Sequence, residues 1–174
     1  MRELADADRI GRFMHGLGAE ATEEGAVYLT GGATAVLLGW RASTLDVDIL
    51  PVPEQESVLR ALPRLKGELR VNVELASPRD FIPVPAGWED RSIFAAREGR
   101  LTFYHFDPYS QALAKLERRH TQDLEDVREL VDRGLVDPAR ALAYLAEIEH
   151  NLFRYPAIDP SAFRRQAEEV LSAR

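Results

Sequence analysis

The sequence predicts an α/β (α+β) fold: a mixed, four- to five-stranded β-sheet with helices packed on it, followed by a helical C-terminal region. Three observations lead to this prediction. Residues 26–50 read as strand, glycine turn, short helix and strand, and residues 69–106 contain further β-prone segments. Three Asp-Pro pairs follow, and each is a good helix start because Asp caps the helix and Pro fits its first turn. We therefore expect a core over residues 1–107 and a helical region over residues 108–174, packed together as one compact unit.

Composition limits the classes of protein to consider. The chain has 174 residues, of which 45% are hydrophobic, enough for one well-filled core. It has no cysteine, which excludes disulfides and thiolate metal sites. No membrane span or signal peptide is apparent, so we expect a soluble, cytoplasmic protein without a membrane partner. The net charge of −7 argues against broad nonspecific nucleic-acid binding but leaves room for a local basic patch.

The first half of the chain supplies the strand–turn–helix–strand unit. Apolar positions at helix spacing predict a helix over 6–23, and the apolar, β-prone run 26–29 predicts a buried strand. Gly31-Gly32 then turns the backbone, and a short helix over 33–38 ends at a glycine. In the next strand, 45–50, apolar Leu45, Val47 and Ile49 alternate with Asp46 and Asp48.

This alternation places two carboxylates on one face of a strand. Like charges at that spacing repel, so Asp46 and Asp48 require water or a cation between them. Mg²⁺ takes oxygen ligands and is commonly bound by one or two carboxylates together with substrate phosphates. A Gly-Gly turn at a helix start offers backbone N–H groups to phosphate oxygens. The pattern therefore indicates Mg²⁺-assisted chemistry on a nucleoside triphosphate.

The middle of the chain adds a third candidate carboxylate. A helix is predicted over 54–62, stopped or kinked by Pro63, and a strand over 69–76. Glu74 lies on the polar face of that strand and is free to point to the same side as the aspartates. Asp80 is a rival, although it lies in a Ser-Pro-Arg-Asp turn, where aspartates often have a structural role.

The remaining elements follow from turn and cap residues. Residues 81–91 are predicted as a loop, and the β-prone arms of 92–106 around Glu-Gly as a β-hairpin. The three Asp-Pro starts predict helices over 108–133, 138–152 and 160–172.

The first of these helices has a polar stripe of its own. At about 100° per residue, Lys115, Arg119 and Asp126 lie on this stripe, whereas His120 lies on the apolar stripe and Asp123 between the two. We expect the Lys115 ammonium to lie outside the core and His120 to be a packed side chain.

The residues named so far resemble a known family. Gly31-Gly32, the short helix and the spacing of Arg41, Thr44, Asp46 and Asp48 look like the signature of the polymerase-β-like nucleotidyltransferase superfamily. The Arg-x-x-Thr-x-Asp-x-Asp form most resembles a minimal bacterial branch that contains AbiEii-type toxins and related uncharacterised (DUF6036-like) proteins. A helix of this branch is partly matched by Lys115, Arg118 or Arg119, Asp123 and Asp126, with Gln122 in place of an arginine.

The resemblance implies a nucleotidyltransferase-like fold and the transfer of an NMP from an NTP to an acceptor. It implies Mg²⁺, or Mn²⁺, held by Asp46, Asp48 and Glu74, and these three with Lys115 as the catalytic residues. The nucleotide-binding residues that it implies are Thr30, Gly31, Gly32, Arg41, Ser43, Thr44, Lys115 and Asp123.

The acceptor and the partners stay open at this point. The acceptor alternatives are a tRNA end, a protein hydroxyl and a small molecule such as an aminoglycoside. An antitoxin or a second copy of the chain is a candidate partner. The alternative function is that of an inactive nucleotidyltransferase-like module that binds a nucleotide or a partner, but the presence of all the expected acids favours activity.

Overall fold

The structure is a computed structural model and describes residues 3–173. They contain seven strands: β1 (Ala5–Asp6), β2 (Gly25–Thr30), β3 (Ser43–Thr44), β4 (Asp46–Val52), β5 (Asn72–Leu75), β6 (Ile93–Glu98) and β7 (Leu101–His105). The helices are α1 (Ala7–Glu20), α2 (Gly32–Leu38), α3 (Glu56–Leu69), α4 (Trp88–Arg91), α5 (Pro108–Arg118), α6 (Thr121–Asp132), α7 (Pro138–Ile148) and α8 (Pro160–Leu171). Short 3₁₀ segments occur at Pro78–Asp80 and Glu149–Arg154. The predicted mixed sheet with helices is confirmed, in agreement with a nucleotidyltransferase-like fold.

The chain divides into two compact units. The first comprises the described residues up to Ser77 together with Ser92–Phe106, and the second comprises Pro78–Arg91 and the described residues from Asp107 onward. Residues 78–91, which the sequence analysis assigns to the core, thus cluster with the helical region. The predicted end of the core at residue 107 lies next to the observed transition after Phe106.

A five-stranded sheet in the order β5-β4-β2-β7-β6 organises the first unit. The central strand β2 is antiparallel to β4 and parallel to β7; β5 is parallel to β4, and β6 is antiparallel to β7. A separate pair of short strands, β1 and β3, is antiparallel. One sheet face carries the apolar members of each alternating strand, and α1, α2 and α3 pack on it in one continuous core. The alternate side chains, among them the acids of β4 and β5, therefore project from the opposite face, which we call the acid face.

Amphipathic spacing explains the two longest helices of this unit. Asp6 caps α1 by accepting a hydrogen bond from the Arg9 N–H, and the helix ends at Glu20, before the predicted end at residue 23. Of the two alternatives predicted for Pro63, a stop or a kink, the stop is wrong, because α3 continues through this proline to Leu69. A proline removes one intrahelical hydrogen bond, and burial of the apolar stripe of α3 in the core outweighs that loss.

The second unit confirms the three Asp-Pro helix starts. Asp107, Asp137 and Asp159 each accept hydrogen bonds from backbone N–H groups in the first turn of α5, α7 and α8. The predicted single helix over 108–133 is wrong. The backbone enters the left-handed region at Arg119, with φ of 58°, and α6 begins anew at Thr121.

Three smaller predictions about this unit also need correction. The segment 81–91, predicted as a loop, contains α4, and the helix predicted over 138–152 ends at Ile148 and continues as a 3₁₀ segment. His120, predicted to be a packed side chain, is exposed at the start of α6. Within residues 3–173, no helix combines the length and the apolar character needed to cross a membrane.

Candidate active site

The two aspartates of β4 lie side by side on the acid face. Val47 and Ile49 between and beyond them are fully buried in the core, whereas Asp46 and Asp48 are half-buried. Residues two apart on a strand share a face, so the alternation read from the sequence positions both carboxylates as expected. Leu45, expected to share the buried face, is instead 54% exposed because it precedes the first residue of β4.

The neighbouring strand β5 brings Glu74 next to these aspartates. In the parallel register of β4 and β5, Asp46 is the partner of Asn72 and Asp48 the partner of Glu74. Asn72 Nδ2 donates hydrogen bonds to Asp46 Oδ1 at 2.5 Å and to Glu74 Oε1 at 3.2 Å. Two carboxylates thus converge on one amide group. Asp80, the rival, is exposed in the 3₁₀ segment of the second unit.

Asn72 is a member of this site that sequence reasoning did not single out. The signal was available, because Asn72 precedes Glu74 by two residues and shares its face. An amide is a less obvious candidate than an acid. The role of Asn72 follows only from the strand register, which places its amide group between Asp46 of β4 and Glu74 of β5.

The donor chemistry of the aspartate pair fits a hard divalent cation. Mg²⁺ is typically bound through one or two carboxylates, with water and substrate phosphates completing its octahedral shell. Across residues 3–173, no three or more His, Cys, Asp or Glu side chains are grouped so that they could hold a metal ion. The fit therefore rests on Asp46 and Asp48 with phosphate oxygens from a substrate, and Glu74 does not complete a three-carboxylate set in this conformation.

The Gly31-Gly32 turn packs directly against the aspartate strand. Gly31 has φ of +63°, which favours glycine, and a Cβ atom there would lie 3.2 Å from Asp48 Oδ2. A Cβ atom on Gly32 would lie 1.9 Å from Thr44 Oγ1 and 3.4 Å from Arg41 Nη1. These two positions must lack a side chain if the backbone of the turn is to approach Asp48, Thr44 and Arg41 so closely.

The remaining predicted residues of the first unit lie around this turn. Thr44 is buried, and its Oγ1 donates to the Asp46 carbonyl oxygen at 3.1 Å. Thr30 is the antiparallel partner of Asp48 and is also buried. Ser43 is half-buried and pairs with Asp6 in the small β1–β3 sheet. The structure thus brings together the glycine turn, Arg41, Thr30, Thr44 and both aspartates in a single region of the first unit.

Lys115 has a different environment from the one predicted. Its side chain is only 8% exposed, and its Nζ lies 2.7 Å from Asp126 Oδ2 and 3.5 Å from Asp123 Oδ1. The prediction that its ammonium lies outside the core assumed one continuous helix, and the break at Arg119 invalidates that assumption. The helix turns there and α6 places both aspartates against the lysine.

Arg118, whose own side chain is 42% exposed, pairs with a buried acid of this cluster. It contacts Asp123 in bidentate fashion, with Nε 3.1 Å from Oδ2 and Nη2 2.7 Å from Oδ1. Burial alone would raise the pKa of Asp123, but the Arg118 hydrogen bonds and the charge of Lys115 outweigh it, so this pKa lies below its ordinary value. Of the two arginines left open by the sequence, Arg118 pairs with Asp123, whereas Arg119 pairs with Glu169 at 3.2 Å.

Comparison with known proteins decides the family. Residues 12–149 match the family described as "Nucleotidyltransferase of unknown function (DUF6036)". The chain belongs to this nucleotidyltransferase family. The match spans the glycine turn, the aspartate strand, β5 and the Lys115 cluster. No curated protein and no solved structure matches the chain.

One further residue of this DUF6036 protein was missed by sequence reasoning. His105, at the end of β7, is 3% exposed, and its Nδ1 lies 3.1 Å from Thr34 Oγ1 in the first turn of α2. Burial lowers the pKa of His105 to about 4, so the imidazole is neutral at physiological pH. It links the helix that follows the glycine turn to the sheet. No sequence signal distinguishes it from the other residues of a β-prone run.

Proposed function

We propose that the protein is a Mg²⁺-dependent nucleotidyltransferase that moves an NMP from an NTP onto an acceptor. The observation that carries this proposal is the contact between the glycine turn and the aspartate strand, where a Gly31 Cβ would lie 3.2 Å from Asp48 Oδ2. A backbone turn that can bind phosphates therefore adjoins a pair of carboxylates that can bind a metal ion. Membership in a family described as nucleotidyltransferases supports the same chemistry.

In the proposed reaction, an acceptor oxygen or nitrogen forms a bond to the α-phosphorus of the NTP. The bond from this phosphorus to the bridging oxygen breaks, and pyrophosphate leaves with the electron pair. The proton of the acceptor passes to a carboxylate of the site and then to water. Mg²⁺, or Mn²⁺, bound by Asp46 and Asp48 would supply positive charge for the attacking and leaving groups.

The chain's own groups orient the substrate. The N–H groups of Gly31 and Gly32 are proposed to bind the triphosphate, and Arg41 can contact a phosphate with two parallel hydrogen bonds. Thr30, Ser43 and Thr44 flank the turn, and Thr44 also holds the start of β4 through the Asp46 carbonyl group. Asn72 holds the Asp46 carboxylate by its hydrogen bond, and it limits the freedom of Glu74 at the same time.

The roles of Glu74, Lys115 and Asp123 in this reaction stay predictions. Glu74 can join the metal ligands if its hydrogen bond with Asn72 is replaced by one with water. This replacement costs little free energy because Glu74 is exposed. The ammonium of Lys115 is within ion-pair distance of two aspartates. A contact of Lys115 with the triphosphate would therefore compete with these existing pairs.

The binding-module alternative is favoured by one specific observation. Asn72 engages both Asp46 and Glu74, and no three-carboxylate group suited to a metal is found among residues 3–173. A domain that binds a nucleotide without transferring it could retain such an arrangement. Further hypotheses concern the acceptor, the partner and the location. The acceptor would be a tRNA end, a protein hydroxyl or a small molecule, and the partner an antitoxin or a second copy of the chain. The location would be the cytoplasm.

The deciding experiment measures label transfer. The purified protein is incubated with each α-³²P-labelled NTP, Mg²⁺ and a cell extract, and the labelled product is identified. We expect the double variant Asp46→Asn/Asp48→Asn to lose transfer while remaining folded, with a melting temperature equal to or above that of the wild type because two repelling charges are removed. Asp8→Asn, an exposed acid of α1, is the matched control.

Two outcomes contradict the proposal. Full transfer in the double variant would exclude the aspartate pair as the metal site. Mg²⁺-dependent binding of an NTP by the wild type, without label transfer to any component of the extract, would establish the binding module instead.

A further inference from the structure

A row of aromatic side chains crosses the sheet on β2, β7 and β6. Tyr104 is the register partner of Tyr28 on one side and of Phe94 on the other. The rings of Tyr28 and Tyr104 stack with centroids 5.5 Å apart, and those of Tyr104 and Phe94 meet edge to face at 6.4 Å. We call these three residues the aromatic row.

The aromatic row lies on the acid face, beside the acids. Tyr28 is two residues from Thr30 and therefore shares its face, and Thr30 is the register partner of Asp48. Along the strands, the row is one two-residue step, about 7 Å, from Asp48. Across the strands, three steps of about 4.8 Å separate Asp48 from Phe94, or roughly 14 Å in total.

The edge of the row is open to solvent. Phe94 is 62% exposed on the edge strand β6, and Tyr104 is half-buried beside it. An exposed large aromatic residue is ordinary when isolated, but here its neighbour's ring is fixed by stacking on the more deeply buried Tyr28. The row therefore offers an ordered aromatic surface whose outer ring can receive another flat group.

A β-bulge places an arginine on the same face as Phe94. The register shifts between Phe94 and Ala96, so that Arg97 pairs with Thr102, which lies two residues from Tyr104. Without the extra residue, a side chain three positions from Phe94 would point to the other face. Arg97 Nη1 donates to Thr102 Oγ1 at 2.8 Å, and Nη2 pairs with the exposed Glu24, a surface pair of the kind that contributes little and exchanges easily.

From this geometry we infer that the aromatic row is a stacking site for a nucleobase of a single-stranded nucleic acid. Base stacking on an aromatic side chain with a nearby cation for the phosphate is the usual mode of sequence-tolerant single-strand binding. Together, about 14 Å across the strands and about 7 Å along them separate Phe94 from Asp48 by roughly 16 Å, which favours a strand of more than one nucleotide over an isolated NTP. The inference rests on the proposed function, because the end of this strand would be the acceptor at Asp46 and Asp48.

The test measures binding rather than turnover. A 5′-fluorescein-labelled, 12-nucleotide single-stranded RNA of mixed sequence is titrated with the full chain at low salt, without NTP or metal, and fluorescence anisotropy gives Kd. We expect Phe94→Ala to raise Kd by roughly 5- to 150-fold, the range of one lost base–aromatic contact, and Phe94→Trp to keep the affinity. Phe153→Ala is the matched control, because Phe153 is 74% exposed in the second unit.

The charge contribution is tested separately. The slope of log K against log salt should fall in magnitude by about 0.7 in Arg97→Ala, because one contact with a phosphate of a single strand is lost. Phe94→Ala should leave this slope unchanged, since stacking releases no counterion. Melting temperatures confirm that the variants are folded.

The inference is overturned if the wild type does not bind the RNA, if Phe94→Ala binds it as tightly as the wild type does, or if Phe153→Ala weakens binding equally. Failure of the proposed function has a different signature. Phe94-dependent RNA binding without label transfer in any extract would leave the stacking site in place and refute the transferase. Label transfer to a protein or small molecule that Phe94→Ala does not affect would support the transferase and refute the inference about the aromatic row.

Discussion

The contact between Gly32 and Thr44 allows a prediction from geometry alone. In Gly32→Ala, the new methyl group would lie 1.9 Å from Thr44 Oγ1 and 2.7 Å from Thr44 Cβ. Ordinary contacts between such atoms are about 3.5 Å, so the turn or β3 must move by more than 1 Å. Rotating the hydroxyl away would not suffice, because the Cβ atom is itself too close. Gly32 also begins α2, so the shift would be transmitted to the helix.

Two opposing contributions determine how much Gly32→Ala changes the free energy of unfolding. Overpacking of this kind costs about 1–3 kcal/mol, whereas alanine in place of glycine in a helix gains up to about 1 kcal/mol. We expect a net loss of about 1–2 kcal/mol in the free energy of unfolding, or roughly 2–8 °C in melting temperature for a chain of this size. Urea unfolding, with the m-value checked for constancy, gives the quantity directly.

A control substitution at another glycine should raise the free energy of unfolding instead of lowering it. Gly67→Ala in α3 places its methyl group where no atom lies within 4 Å, so it should raise stability by about 0.5–1 kcal/mol. Combining Gly32→Ala with Thr44→Gly removes both clashing atoms, and the double-mutant cycle should show a favourable coupling of about 1 kcal/mol or more. A Gly32→Ala protein as stable as the wild type, or a cycle without coupling, would refute this account of the turn.

Two further predictions concern buried polar groups. Lys115→Met should destabilise the protein by about 3–5 kcal/mol, because it leaves buried Asp126 without its closest cation; Lys115→Met combined with Asp126→Leu should recover much of this loss. His105 should make stability fall as pH is lowered from 7 to 4.5, since the unfolded chain binds a proton near pH 6.5 and the folded His105 only near pH 4. The expected contribution is about 2 kcal/mol over that interval, measured by urea unfolding at each pH.

Each of these predictions has its own check. If Lys115→Met alone were as stable as the double variant, the ion pair would not be the cause of the loss. For the histidine, His105→Asn should flatten the pH dependence because Asn does not titrate. An unchanged pH profile in His105→Asn would assign the dependence to other groups.

The sequence predicts those features that depend on residues close together in the chain. The alternation around Asp46 and Asp48 and the Asp-Pro starts are local signals, and the structure has the strands and helix starts where they indicate. The break at Arg119 has no such signal, because arginine is a good helix former, whereas here it adopts the left-handed conformation of a C-cap and its N–H donates to the Lys115 carbonyl oxygen. The burial of Lys115 follows from this break and was therefore unpredictable as well.

The register of the sheet is the second kind of information that local pattern lacks. That Asp48 pairs with Glu74, and that Asn72 bridges two strands, depends on which strands become neighbours. The same holds for Pro63, whose helix-breaking tendency is local while the packing that overrides it is not. Leu75 is two residues from buried Val73 and shares its face, yet it is 54% exposed because it ends an edge strand.

The pairing of β2 with β7 has a consequence for the order of events during protein synthesis. Gly25 pairs with Leu101, so a ribosome must add the intervening residues before the central strand acquires its second neighbour. At about 5–20 residues per second, this interval is roughly 4–15 s. Throughout it, one edge of apolar β2 can form hydrogen bonds with any other chain, as unpaired strand edges do. The nascent protein is thus most prone to aggregation before β7 leaves the ribosome, and the hairpin that carries Phe94 and Tyr104 is also what ends this exposure.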